Sequence, residues 1–161
     1  MKRTISAALA AFVLALGATA TLAQDKAKPA SKGNAAEATA MVQKAIAHIK
    51  KVGREKAFAE FDNKSGAFTD RDLYVVVYDM KGKVLAHGAN DKMIGKDVME
   101  LRDSDGKYFV KERVEMMSKG PEAKGWQDYK FMNPVTRQIE PKSMYLQRYE
   151  DLIVGCGIYK N

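Results

Sequence analysis

Apolar positions Ala38, Met41, Val42, Ala45, Ile46, Ile49 and Val52 recur at helical intervals, with lysines on the opposite side. This spacing predicts a long amphipathic helix. Asn34 followed by Glu37 has the separation of a capping box and marks its start, and Gly53 interrupts it before a short helical piece carrying Phe58 and Phe61. The period then changes. Asp72–Asp79 (DLYVVVYD) is rich in β-branched and aromatic residues, with Tyr74, Val76 and Tyr78 on one face, and reads as a strand. A tight turn over Met80–Lys83, containing Gly82, leads into a second strand, Lys83–His87.

Asn90–Leu101 reads as loop with a short helix. Asp105 is placed to cap a helix over Gly106–Ser118, whose apolar edge is Val110, Val114 and Met117 and which Gly120-Pro121 ends. Three further strand signals follow at Trp126–Met132, Gln138–Gln147 and Leu152–Tyr159. Adjacent hairpins favour an antiparallel sheet with helices covering a face, so the expected class is α+β: a long N-terminal helix packed on a five- to six-stranded antiparallel sheet.

The N-terminus departs from this pattern. Met1-Lys2-Arg3 precedes an uncharged Ala- and Leu-rich stretch from Ile5 to Ala23, and Thr21-Leu22-Ala23 supplies small residues for a peptidase. That is the layout of a secretory signal peptide over residues 1–23, with Ala20 as a nearby alternative cleavage point. An uncleaved span is the competing reading, but the stretch is broken by Ser6, Gly17, Thr19 and Thr21. Residues 24–34, punctuated by Pro29 and Gly33, read as a disordered leader, and residues 35–161 as one domain. The expected location is the periplasm, with no membrane embedding after cleavage.

Composition narrows the function. The 161 residues hold 27 basic and 20 acidic side chains, for a formal charge of +7. Loss of Lys2 and Arg3 with the first 23 residues leaves +5, scattered among acidic residues. A nucleic-acid binder would show a dense basic stripe with stacking aromatics, so no nucleic-acid partner is expected. A single Cys excludes an intrachain disulfide framework and a multi-Cys zinc site. Asp103-Ser104-Asp105-Gly106 with Glu112 imitates part of a calcium loop, yet Leu101 occupies the first ligand position. His48 and His87 lie in different elements with no third soft ligand. No metal and no cofactor are expected. Cys156, between two glycines, reads as a small core thiol; pairing it with His87 as nucleophile and base is the enzymatic alternative.

The segments LYVVVYDMKGKVLAHG, IGKD, DGKYFV, GWQDYK and VGCGIY, in that order, resemble the single Cache domain, an extracytoplasmic ligand-sensing module with a PAS-like sheet. The resemblance covers roughly Ala35 to Tyr159. With no transmembrane helix or signalling domain beside it, the chain is similar to a stand-alone soluble version of that module. The resemblance implies a pocket between the sheet and the segments over it, for a small organic acid such as acetate, lactate or pyruvate. Amino acids or amines are bound in the wider family.

The positions that would contribute are Tyr74, Tyr78, His87, Tyr108, Trp126, Tyr129, Lys142 and Tyr145. Aromatic walls exclude water, hydroxyls orient oxygens, and a lysine adds a charge-assisted bond. Each also has a packing role open to it. Tyr129 and Trp126 have opposite strand parity, as do Lys142 and Tyr145, so a regular strand cannot aim both members of either pair at one cavity. The expected function is a non-enzymatic, periplasmic sensor of a small carboxylate or amino acid, signalling through a separate membrane-bound receptor or kinase. The alternatives are an interaction module with a vestigial pocket and a small hydrolase-like enzyme.

Overall fold

A computed structural model describes residues 31–160; the expected signal peptide and residues 24–30 of the leader lie outside them. The first described residues are fastened to the domain. The Ser31 and Lys32 carbonyls accept from Arg71 Nη1, and the Gly33 amide donates to the buried Asp72 carboxylate at 2.7 Å. The leader expected to be disordered through residue 34 is therefore ordered over its last four positions.

Helix α1 runs Ala35–Val52. The Asn34 side chain accepts from the Glu37 amide at 3.0 Å, and Glu37 reaches back to the Asn34 amide at 2.9 Å, which satisfies two helix-end donors. Gly53, at φ 84°, separates α1 from α2, Arg54–Phe61. Ala38, Val42, Ala45, Ile46 and Ile49 form the buried stripe of α1.

Six strands follow: β1 Thr69–Asp70, β2 Leu73–Asp79, β3 Val84–His87, β4 Lys124–Met132, β5 Ile139–Tyr149 and β6 Leu152–Tyr159. All pairings are antiparallel, in the order β1-β2-β6-β5-β4, with β3 also on β2. β1, only two residues long, carries too little pattern to be read from sequence. Helix α3 spans Phe109–Met117, shorter than the predicted 106–118. Asp105 does not cap it; Tyr108 is the N-cap and makes no side-chain bond there. Asp103 instead gathers the loop, accepting from the amides of Asp105, Lys107 and Lys130.

The sheet divides two cores. One face of β2, β5 and β6 packs Val75, Val77, Tyr145, Val154 and Cys156 against α1 and α2. The other presents Tyr74, Val76, Tyr78, Met144, Leu146 and Ile153 to α3 and the loop around Val98. Strand alternation alone sends neighbours to opposite cores.

Candidate functional site

The α3 face carries the polar chemistry. Tyr129 of β4, Lys142 of β5 and Tyr159 of β6 lie side by side in register. Lys142 is fully buried. Its stem crosses β6 at Gly157, where a Cβ would lie 2.4 Å from Lys142 Cε; the missing side chain is what admits the lysine. Its Nζ donates to the Tyr74 hydroxyl at 2.8 Å and the Tyr159 hydroxyl at 3.2 Å, and lies 3.9 Å from the Tyr74 ring centre. Burial brings Lys142 down to about 7, and the Arg113 charge pushes the same way.

Arg113 is the residue that sequence reading missed. It is fully buried on α3, with Nη1 donating to the Tyr78 hydroxyl at 2.8 Å and Nε to Gln127 Oε1 at 3.1 Å. Its guanidinium carbon lies about equally far from the Tyr78, Phe109 and Tyr129 rings, at 5.0, 5.3 and 5.2 Å. Nη2 is buried without a protein partner among the described residues. The available signal was spacing: Arg113 stands three or four positions from Val110, Phe109 and Met117, all buried, so it shares the apolar stripe.

His87, 3% exposed, is neutral. Its Nδ1 accepts from the amides of Ala89 and Asn90 at 3.2 and 3.0 Å, which leaves the ring proton on Nε2. Burial and then the Lys142 charge bring it down to about 3. The ring stacks on Tyr74 at 5.2 Å, and the His87 amide is held by Asp62 Oδ1 at 2.8 Å.

Two spaces meet these groups. Between sheet and α3 lies a void of about 10 Å³, bordered by Tyr78, Val76, Phe109, Tyr129 and Met144, at the lower limit for one water. Beside it opens a cleft of about 470 Å³, bordered by Tyr74, His87, Asn90, Phe131, Asn133 and Arg137, within the range of small-molecule sites. Tyr74, His87 and Phe131 border both.

Of the eight expected site residues, the structure gathers Tyr74, Tyr78, His87, Tyr129 and Lys142 on this face. Lys142 does not line the cleft directly; it stands behind Tyr74 and is bonded to it. The other three are elsewhere. Trp126 pairs with Tyr145, which pairs with Cys156, and that row faces α1. Trp126 is 39% exposed, and its ring meets Tyr145 at 5.4 Å. Tyr108 lies against the Arg102 guanidinium, which also donates to its hydroxyl, and borders neither space. Cys156 and His87 sit on opposite faces of the sheet, so they cannot work as nucleophile and base. Burial also pushes the Cys156 thiol up to about 12, far from a reactive thiolate. Among the described residues no cluster of three His, Cys, Asp or Glu side chains is arranged to hold a metal ion. Nor is any helix among them long and apolar enough to cross a membrane.

Comparison with known proteins adds kinship. The family model for Single Cache domain 2 matches residues 19–161. The methyl-accepting chemotaxis protein McpP of Pseudomonas putida is 28% identical over 92 residues, which is 56% of this chain and 16% of that protein; the chain thus aligns with about a sixth of its curated relative. Among solved structures, a methyl-accepting chemotaxis protein from Vibrio parahaemolyticus superposes with a TM-score of 0.66 at 22% identity, covering 77% of this chain and 86% of that one. A Cache chemosensory domain, solved to explain its recognition of carboxylic acids, superposes with a TM-score of 0.65 at 20% identity, covering 78% and 92%. At such identities these superpositions establish a shared fold.

Proposed function

The chain belongs to the single Cache domain 2 family, and from that premise we propose that it is an extracytoplasmic, non-enzymatic receptor domain for a small organic anion. The observation that carries this reading is the pair of fully buried basic side chains, Lys142 and Arg113, on one face of the sheet with only neutral hydrogen-bond partners. Buried charge is strongly unfavourable unless paired. The permanent charge of Arg113, with a basic lysine beside it, gives an aromatic-lined cleft a positive potential suited to a carboxylate. The His87 Nε2–H offers a donor at the cleft wall beside the Tyr74 ring, and Arg137 stands at its rim.

The carboxylic acid recognition of a structural neighbour points the same way, as does the predicted export signal. A domain outside the cytoplasm that senses a metabolite acts on a membrane partner, a receptor or kinase, by favouring one arrangement of α1 against the sheet. It does so by no more than the difference in ligand affinity between the two arrangements. The small inner void favours one competing reading, an interaction module whose pocket has closed.

Thermal denaturation with acetate, lactate, pyruvate and a set of amino acids decides between them. An anion at a hundred times its dissociation constant is expected to stabilise the protein by about 2.7 kcal/mol, and Arg113→Met to remove the effect. If no acid and no amino acid raises the midpoint, the receptor reading falls and the closed-pocket reading stands.

A further inference from the structure

The hydrogen bonds around Lys142 account for two amine hydrogens and not three. The Tyr159 hydroxyl donates to the Met132 carbonyl at 2.6 Å. A phenol has one proton, so the Tyr159 oxygen can only accept from its other neighbours, Lys142 at 3.2 Å and Tyr74 at 3.3 Å. The proton between the two phenols therefore belongs to Tyr74, whose oxygen accepts from Lys142 at 2.8 Å. Lys142 donates once to each phenol. A neutral amine has two hydrogens for this purpose; an ammonium has a third, with no acceptor for it among the described residues.

Of the charged and titratable groups around the amine, all but Asp72 agree with that count. From β2 come Tyr74 and, just before the strand, Asp72. His87 approaches from β3, Tyr129 from β4, Arg113 from α3 and Tyr159 from β6, with Cys156 on the far face of β6. His87 is neutral, and burial holds the phenols and the thiol protonated. Asp72 makes no ion pair with Lys142 among the described residues; its Oδ1 is taken by the Gly33 amide, and its charge, with Oδ2 buried and unpartnered, favours the ammonium less than burial and Arg113 disfavour it. Arg113 adds a like charge.

We propose that Lys142 is a neutral amine in the empty domain and takes up a proton when an organic anion occupies the cleft, so that anion and proton bind together. This rests on the receptor reading above. Lys142 acts here as a positioning residue through Tyr74, which borders the cleft, and a guest held against Tyr74 brings the counter-charge that the ammonium lacks. Burial bringing the amine to about 7 in the empty protein is in keeping with this state. The domain then answers to the acid rather than to the anion alone, and its affinity falls by about tenfold per pH unit above the resting titration of the amine.

Calorimetric titration of the protein with acetate, lactate and pyruvate, each at pH 6 and pH 8.5 in two buffers of different ionisation enthalpy, counts the protons. The expected result is uptake of about one proton per anion at pH 8.5 and close to none at pH 6. Binding of any of these acids at pH 8.5 without proton exchange overturns the inference and leaves the receptor reading intact. Binding by none of these acids at either pH, nor by any amino acid of the thermal panel, overturns the receptor reading and proton-coupled binding together. A second measurement needs no ligand. The Lys142 Cε resonance, identified by its loss in Lys142→Met, should titrate near neutrality in the empty protein; titration above pH 10 would reject the neutral amine.

Discussion

Arg113 and Lys142 occupy similar surroundings but have different chemical options. A guanidinium keeps its charge in any protein environment, whereas a lysine can give up its proton when buried. Arg113 is therefore the fixed positive charge of the site, held by Tyr78 and Gln127, and Lys142 the adjustable one. Tyr78→Phe takes from Arg113 the acceptor of Nη1 while Nη2 already has none. The cost should be about 1–3 kcal/mol in urea unfolding. In an Arg113→Met background the same substitution should cost far less, because no cation is then left wanting; equal costs in both backgrounds would show that the bond contributes nothing. This site was half legible in sequence. Tyr74 and Tyr78 share a strand parity, and the same rule foretold that Trp126 could not join Tyr129, nor Tyr145 join Lys142. Arg113 was hidden because a charged residue flanked by Lys111, Glu112 and Glu115 reads as solvated, and only its spacing from Phe109 and Met117 marks it as inward. Lys142 behind Tyr74 was not legible either, since it depends on a side-chain path across β6.

That path is a property of the element. Gly155 and Gly157 leave two vacancies on the α3 face of β6, the first filled by Leu146 and Met144, the second by the Lys142 stem. At Gly155 the near neighbours are side chains; at Gly157 a backbone carbonyl, that of Ser143, approaches as well. Gly157→Ala puts a Cβ 2.4 Å from Lys142 Cε and 3.1 Å from the Ser143 carbonyl, in a site where the lysine has no solvent to retreat into. Overpacking of this kind should cost about 1–3 kcal/mol, read as a lower urea midpoint, and should weaken anion binding by moving the amine off its phenols. Gly120→Ala, with nothing within 4 Å, is the control and should be neutral. A Gly157→Ala protein as stable as Gly120→Ala would mean that the lysine stem has another course. Elements with a strong period were legible throughout: the stripe and capping box of α1, the alternation of β2, the hairpin strands of β4 and β5. What failed was local competition. Asp105 looked like a helix cap, but Asp103 takes the loop amides and α3 begins only at Phe109.

Across the described residues the sheet is a partition, with an apolar core of aliphatic and aromatic side chains beneath α1 and a core beneath α3 that encloses basic groups. Those groups set an unusual dependence of stability on pH. His87 falls from an ordinary 6.5 to about 3 in the folded protein, chiefly through burial. Between those values the unfolded chain binds the proton and the folded one does not, so stability rises with pH across that window. Lys142 repeats the sign higher up: lowered from 10.5 to about 7 by burial, it makes stability rise again from about pH 7 to 10, by an amount on the order of a few kcal/mol. Glu140, held low by Thr136 and Asn133, adds the same sign at acid pH, weakly because such surface pairs are screened. The opposing sign comes from Cys156, Tyr74, Tyr129 and Tyr159, raised by burial; their contribution is lost once the unfolded thiol and phenols ionise. The empty protein should therefore be most stable at about pH 9–10, above the usual range of 5–8. Urea midpoints measured from pH 4 to 11 test this, and a maximum at pH 5–8 would mean that Lys142 keeps its charge in the empty fold. A saturating anion should cancel the upper window, because Lys142 then stays protonated in the folded protein, and so move the maximum back toward neutrality.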